Sequence, residues 1–227
     1  MLAYACLASR NIFFDLDGTL LDSQSGIIQS LQHALIETAG IEPSSDELRG
    51  MIGSSLPHIL ANFLGPHGEV AEAINLYREF YQEEAMFDAE IYDGVFEMFD
   101  TLMTADVGLF ITTSKPHAFA NQVVQHFGIS DAVTHVFGSE LDGTNSDISS
   151  LLQFALDETG FDPRKCIMVG DRQMDIFGAK NNDINNIGAL WGYGEADELR
   201  MAEADMLAGH PEELAEISFD MMGLDLD

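Results

Sequence analysis

Asp15 and Asp17 stand two residues apart at the end of an apolar run, in Phe13-Phe14-Asp15-Leu16-Asp17-Gly18-Thr19. Alternate residues of a β-strand face the same side, so the run delivers both carboxylates to one face at the strand's C-terminal end. Two like charges that close repel, which raises one pKa unless a cation neutralises them. A divalent ion would do so, and hard carboxylate oxygens suit magnesium. A hairpin turn is the competing reading, because Asp-Gly is a common turn dipeptide.

Two more polar clusters follow apolar runs. Thr112-Thr113-Ser114-Lys115-Pro116 comes after Val107 to Ile111. Hydroxyls and backbone N–H groups at a strand-to-helix junction can cradle a phosphate, and Lys115 adds positive charge. Ordinary N-capping by Ser114 is the alternative. Val169-Gly170-Asp171-Arg172-Gln173-Met174-Asp175 closes a third run, where an acid near a helix N-terminus is the plain reading. If the three clusters converge on one crevice, Asp15, Asp17 and Asp171 can hold a metal while Thr113 and Lys115 hold the phosphate.

The elements that would position these residues are legible as period and punctuation. Ile27, Ile28, Leu31 and Leu35 keep helical spacing. Ser44 with Glu47 three residues on forms a capping box. Helical patterns continue through Pro57 to Leu64 and Glu69 to Ala85. Short apolar runs then return at Val107 to Thr112, Val133 to Phe137, Cys166 to Val169 and Ile184 to Leu190, alternating with helical stretches. That alternation is the βα pattern of a parallel sheet covered on both faces, with ligand sites outside the C-terminal strand ends. The expected architecture is therefore α/β. A Rossmann-like parallel sheet core, residues 1–19 and 90–227, is interrupted after its first strand by an inserted α-helical cap, residues 20–89. Phe219 to Asp227 reads as a loose tail.

Thirty-nine acids against nine bases give a formal charge of −30. Such a surface repels nucleic acid phosphates and anionic lipid, so DNA, RNA and membrane partners are not expected. An anionic substrate would also approach against the field, so its site needs local positive charge. Apolar residues make up 46% of the chain, enough for a packed core. Cys6 and Cys166 lack zinc-ligand spacing and read as reduced core thiols. The apolar N-terminal stretch has no positive n-region and runs almost directly into the strand bearing Asp15, which reads as a cytoplasmic protein with a short extension.

In this order, with a helical stretch behind the first, the clusters resemble the haloacid dehalogenase superfamily, in its phosphoglycolate-phosphatase-like branch with an α-helical cap. The resemblance rests on Phe14-Asp15-Leu16-Asp17-Gly18-Thr19-Leu20, Thr113-Ser114-Lys115-Pro116 and Val169-Gly170-Asp171-Arg172, and runs from Ile12 to about Leu214. Tyr92-Asp93-Gly94-Val95, Gly138-Ser139-Glu140-Leu141-Asp142-Gly143-Thr144 and Gly192-Tyr193-Gly194 are also similar to segments of that branch. The resemblance implies that Asp15 attacks phosphorus to form an aspartyl-phosphate, and that Asp17 is the general acid and base. It implies magnesium between the Asp15 carboxylate, the Asp17 backbone carbonyl and Asp171, with Asp175 behind them. Thr113 and the Ser114 N–H would bind phosphate oxygens. The implied activity is hydrolysis of a small phosphomonoester, phosphoglycolate or nucleotide-like. A phosphosugar mutase and a catalytically weak phosphate-ligand-binding protein are the alternatives.

One departure stands out. The family places a lysine where this chain has Ile148. Lys165 lies at the far end of its strand, roughly 20 Å away at strand rise. Lys180 is about 13 Å along a helix from Asp171. Lys115 alone is close in sequence to a catalytic strand end. Arg49, beside Gly50-Met51-Ile52-Gly53, and Arg78, in Tyr77-Arg78-Glu79-Phe80-Tyr81, are candidates for the substrate's distal part. Surface ion pairs with the many acids are the alternative for both.

Overall fold

The computed structural model describes residues 9–224. Cys6 and the N-terminal stretch read as an extension lie outside the described residues.

In chain order the elements are β1 (Asn11–Phe14), β2 (Leu21–Asp22), α1 (Gln24–Ala39), α2 (Ser45–Arg49), α3 (Leu56–Leu64), α4 (Val70–Phe80), β3 (Glu90–Ile91), α5 (Val95–Thr104) and β4 (Gly108–Pro116). They continue as α6 (His117–His126), β5 (His135–Ser139), α7 (Ile148–Thr159), β6 (Cys166–Gly170), α8 (Gln173–Asn181), β7 (Asn185–Ala189), α9 (Ala196–Met201), β8 (Met206–Ala208) and α10 (Pro211–Met222).

Six strands form one sheet in the order β5-β4-β1-β6-β7-β8, and every pairing in it is parallel. β1 is central, with Ile12 in register with Leu109 on one side and Ile167 on the other. Its run is apolar throughout because both faces are covered. Ile12 and Phe14 enter one core with α1, α5 and α6 residues, whereas Phe13 enters a second with Phe110, Ile148 and Leu151. Burying a side chain of this size contributes roughly 1.5–3 kcal/mol. Chain order reverses about β1, which opens a crevice at the C-terminal ends of β1, β4 and β6.

The helices between β2 and β3 are an insert, and the two strands that frame it pair antiparallel, Leu21 with Ile91 and Asp22 with Glu90. Outgoing and returning chains pack tightly, since a Cβ on Gly26 would lie 2.2 Å from the Ala85 carbonyl oxygen. The Ser44 capping box forms as expected, with the Glu47 N–H donating to Ser44 Oγ and the Ser44 N–H donating to Glu47 Oε2. The helix expected over Glu69 to Ala85 is α4 followed by a π-turn over Tyr81–Ala85. That wider turn carries Tyr81 into the interior, where it is 2% exposed.

The C-terminal end differs from expectation. Phe219 to Met222 are not a tail but the last turn of α10, whose Leu214, Ala215, Ser218 and Phe219 are buried, while Asp225 to Asp227 lie outside the described residues. The acids of this segment take the exposed positions of an amphipathic helix, which masks its apolar stripe in a composition-based reading. No helix among the described residues is long and apolar enough to cross a membrane.

Candidate active site

Asp15 follows directly on β1, and its N–H donates to the Val169 carbonyl at 2.8 Å, which extends the β1–β6 pairing by one residue. Asp15 is 6% exposed. Together with Asp17, Thr113, Ser114, Lys115 and Arg78 it lines a cavity of about 350 Å³ between sheet and insert. Two of the three polar clusters thus line one cavity, and the third joins them through Asp171 and Asp175 beside Asp15.

Within it the carboxylates divide into two groups. Oxygens of Asp15, Asp171 and Asp175 lie within 4.8 Å of one another, all three residues buried. The Asp17 carboxylate turns elsewhere: its Oδ1 accepts from Lys115 Nζ at 2.7 Å and from Ser23 Oγ at 2.6 Å. Asp171 is held from both sides. Thr19 Oγ1 donates to its Oδ1 at 3.2 Å, and the Tyr193 N–H donates to its Oδ2 at 2.7 Å. Two glycines make room for it, since a Cβ on Gly18 would fall 2.5 Å from Asp171 Oδ2 and one on Gly192 would fall 2.3 Å from Asp171 Cβ. Asp175 accepts from the Arg172 N–H at 3.0 Å.

Burial and mutual repulsion shape the electrostatics. Burial first, then Asp175, Asp171 and Asp17, push the Asp15 carboxyl well above the usual range. Burial also carries Asp171 to about 6, against the Tyr193 N–H and Arg172, which act to lower it. Asp175 rises to about 8 through burial and its neighbour Asp171. Three buried carboxylates held this close fit a divalent cation, whose charge would reverse these shifts. Burial by itself would lower the Lys115 ammonium, but Asp17 and Tyr81 outweigh it and hold it above its ordinary value. Its Nζ also lies 5.4 Å from the Tyr81 ring centroid.

A family model for haloacid dehalogenase-like hydrolases matches residues 12–189. The chain belongs to that family. This haloacid dehalogenase-like hydrolase is 37% identical over 200 residues to a 5'-nucleotidase of Pseudomonas aeruginosa, covering 86% of the chain and 89% of the relative. It is 26% identical over 215 residues to a phosphoglycolate phosphatase of Vibrio vulnificus, covering 91% and 94%. Among solved structures, a predicted phosphatase from Clostridium acetobutylicum superposes with a TM-score of 0.89 at 30% identity, covering 94% of this chain and 99% of that one.

The hydrolase does not bring every expected residue to the crevice. Arg49 is exposed and engaged elsewhere, its Nε donating to Gln24 Oε1 at 2.7 Å and its Nη1 lying 3.3 Å from Asp46 Oδ1. The short α2 ends there and turns the side chain along the insert's surface. Arg172 also points away, donating through Nη1 to the Ile52 carbonyl, through Nη2 to the Gly50 carbonyl at 3.2 Å, and through Nε to Glu198 at 2.9 Å. It ties the loop after β6 to the insert. Ile148 opens α7 as a buried residue of the second core, and a Cβ on Gly178 would lie 2.7 Å from its Cγ2. Lys180 reaches the Ala202 carbonyl and Glu203, remote from the crevice as its place in the sequence suggests.

Sequence reasoning overlooked Thr19, Ser23, Tyr81 and the role of the Tyr193 N–H. The Tyr193 hydroxyl also accepts from the Ser23 N–H at 2.8 Å and donates to Asp22 Oδ1 at 3.2 Å. The same residue therefore joins Asp171 to the strand where the insert begins. Gly192-Tyr193-Gly194 carried the signal, because paired glycines flanking an aromatic mark a close backbone approach.

Proposed function

We propose that the chain is a magnesium-dependent phosphatase that hydrolyses a small phosphomonoester through an aspartyl-phosphate on Asp15. The observation that carries this reading is the position of Asp15, which shares a buried cluster with Asp171 and Asp175 and lines the same cavity as Thr113, Ser114 and Lys115 of β4. Asp15 and Asp171, with Asp175 beside them and the Asp17 main-chain oxygen, would hold the magnesium. Once bound, the ion supplies positive charge against the anionic phosphoryl group.

Thr113 and the Ser114 N–H hold phosphate oxygens and orient the phosphorus toward Asp15. An Asp15 oxygen attacks phosphorus, and the bond from phosphorus to the ester oxygen breaks. Asp17 gives a proton to that departing oxygen, then takes one from the water that hydrolyses the acyl-phosphate, releasing inorganic phosphate. Lys115 and Ser23 both bond Asp17 Oδ1, which leaves Oδ2 to carry the transferred proton. The helical insert serves as a cap that limits water while the aspartyl-phosphate forms. The names of the relatives favour phosphoglycolate or a nucleoside monophosphate as substrate. A free, buried Cys166, its thiol pushed up to about 12 by burial, accords with a cytoplasmic setting.

The test is release of phosphate from p-nitrophenyl phosphate with magnesium, by wild type and Asp15→Asn. Activity in the first and none in a correctly folded second supports the reading. A folded wild type that binds magnesium and substrate but releases no phosphate would instead support the weak binding protein, to which the buried Ile148 points.

A further inference from the structure

Acids outnumber bases by thirty-nine to nine, and six of the nine bases form an ion pair with a carboxylate among the described residues. These are Arg49, Lys115, Arg164, Arg172, Lys180 and Arg200. Arg78 has no acid within ion-pair distance among the described residues, although it lines the cavity over Asp15. Its Nη2 donates to the Leu141 carbonyl at 2.7 Å, on the loop after β5. Its Nε is buried with no hydrogen-bond partner. An unsatisfied buried donor costs on the order of 1–3 kcal/mol, more on a charged group.

We propose that Arg78 is a specificity residue that binds an anionic group, a carboxylate or a second phosphate, at the leaving-group end of the substrate. This deepens the phosphatase reading and rests on it. Lys115, the other base lining the cavity, is committed to Asp17, which leaves Arg78 as the cation open to a ligand. A guanidinium presents several N–H groups in a plane, a fork that suits a carboxylate or phosphate. It lines the cavity from α4 of the insert while Thr113, Ser114 and Lys115 line it from β4 of the sheet, so it would meet the part of the substrate turned away from the reacting phosphorus. The cavity lining also includes the apolar Ile52, Leu56 and Ile74. A chain at −30 repels a dianionic ester unless local charge offsets the field at both ends.

Non-hydrolysable ligands separate this inference from the catalytic reading. Phosphonoacetate, 3-phosphonopropionate and 4-phosphonobutyrate share a phosphoryl end with alkylphosphonates of the same length but add a carboxylate at increasing reach. Calorimetry with magnesium present is expected to show the best carboxylated ligand binding wild type tighter than its alkyl counterpart by on the order of tenfold or more. Arg78→Met should erase that margin and Arg78→Lys should keep part of it. A margin that survives in Arg78→Met, or that wild type never shows, overturns the inference. A merely structural role through Leu141 would weaken both ligands of a pair alike, which also overturns it. Failure of the phosphatase reading shows separately, as absent p-nitrophenyl phosphate hydrolysis.

Discussion

Lys115 Nζ lies 2.7 Å from Asp17 Oδ1, with the lysine side chain 7% exposed and the aspartate side chain 13% exposed. In a cavity otherwise crowded with carboxylates, this pair places one positive charge beside the acid proposed to handle the proton. The resemblance implies a lysine where this chain has Ile148, which makes Lys115 the candidate for the missing charge.

Lys115→Met is therefore expected to lower kcat/KM by about two to three orders of magnitude, the usual cost of one electrostatic donor in an active site. The substitution also strands a buried carboxylate, so the melting temperature should fall. Steady-state kinetics with p-nitrophenyl phosphate and a thermal melt check both. Retention of full activity would show that another cation serves.

Ile148→Lys introduces an ammonium into the second core, against Gly178 and one helical turn from Asp175. Burial of a charged group lowers stability, but the nearby carboxylates offer it a partner. The expected result is a lower melting temperature together with turnover raised by about tenfold. Unchanged turnover in folded protein would mean that Lys115 already supplies what the missing lysine would.

Gly192→Ala tests the seat of Asp171. The added methyl would meet the Gly18 carbonyl oxygen at 2.3 Å as well as Asp171 itself, and backbone cannot swing aside. Magnesium affinity, measured by calorimetry, should drop by at least about tenfold, in line with the loss of a group that orients a metal ligand. Wild-type affinity in this variant would argue against Asp171 as a ligand.

Magnesium should stabilise the fold in a pH-dependent way. Without metal, Asp171 at about 6 and Asp175 at about 8 lie above their ordinary value of 3.8. Their charged forms penalise the fold above those values, and the penalty is relieved as pH falls through 8 toward 4. Metal competes with those protons. The rise in melting temperature on adding magnesium should be larger at pH 8 than at pH 5.5, with chelator as control. An equal rise at both would detach the ion from this cluster.

How much of this was readable beforehand depends on the range of the interaction. Ser44 and Glu47 announce their capping box because its partners are three residues apart. Asp15 and Asp171 could be placed at strand ends because apolar runs of strand length precede them, whereas Thr113 lies inside β4, which continues to Pro116 through a shift of register that its polar residues do not announce. Phe219 misled because acids between its apolar neighbours hide a helical stripe that only packing reveals. Arg49 and Arg78 looked alike in sequence. Yet one lies along the surface with Asp46, and the other lines the cavity.

The amino-acid order by itself determined the α/β class and placed the candidate acids Asp15, Asp17 and Asp171 after apolar runs, since continuous apolar runs of strand length and the turn residues that end them are local properties. Tertiary structure alone decided which carboxylates share a cluster. Asp175 joins Asp15 and Asp171 because α8 folds back over the end of β6, while the Asp17 carboxylate is drawn to a lysine 98 residues away. Such pairings depend on how strands and helices pack across the sheet. No short-range pattern encodes that distance.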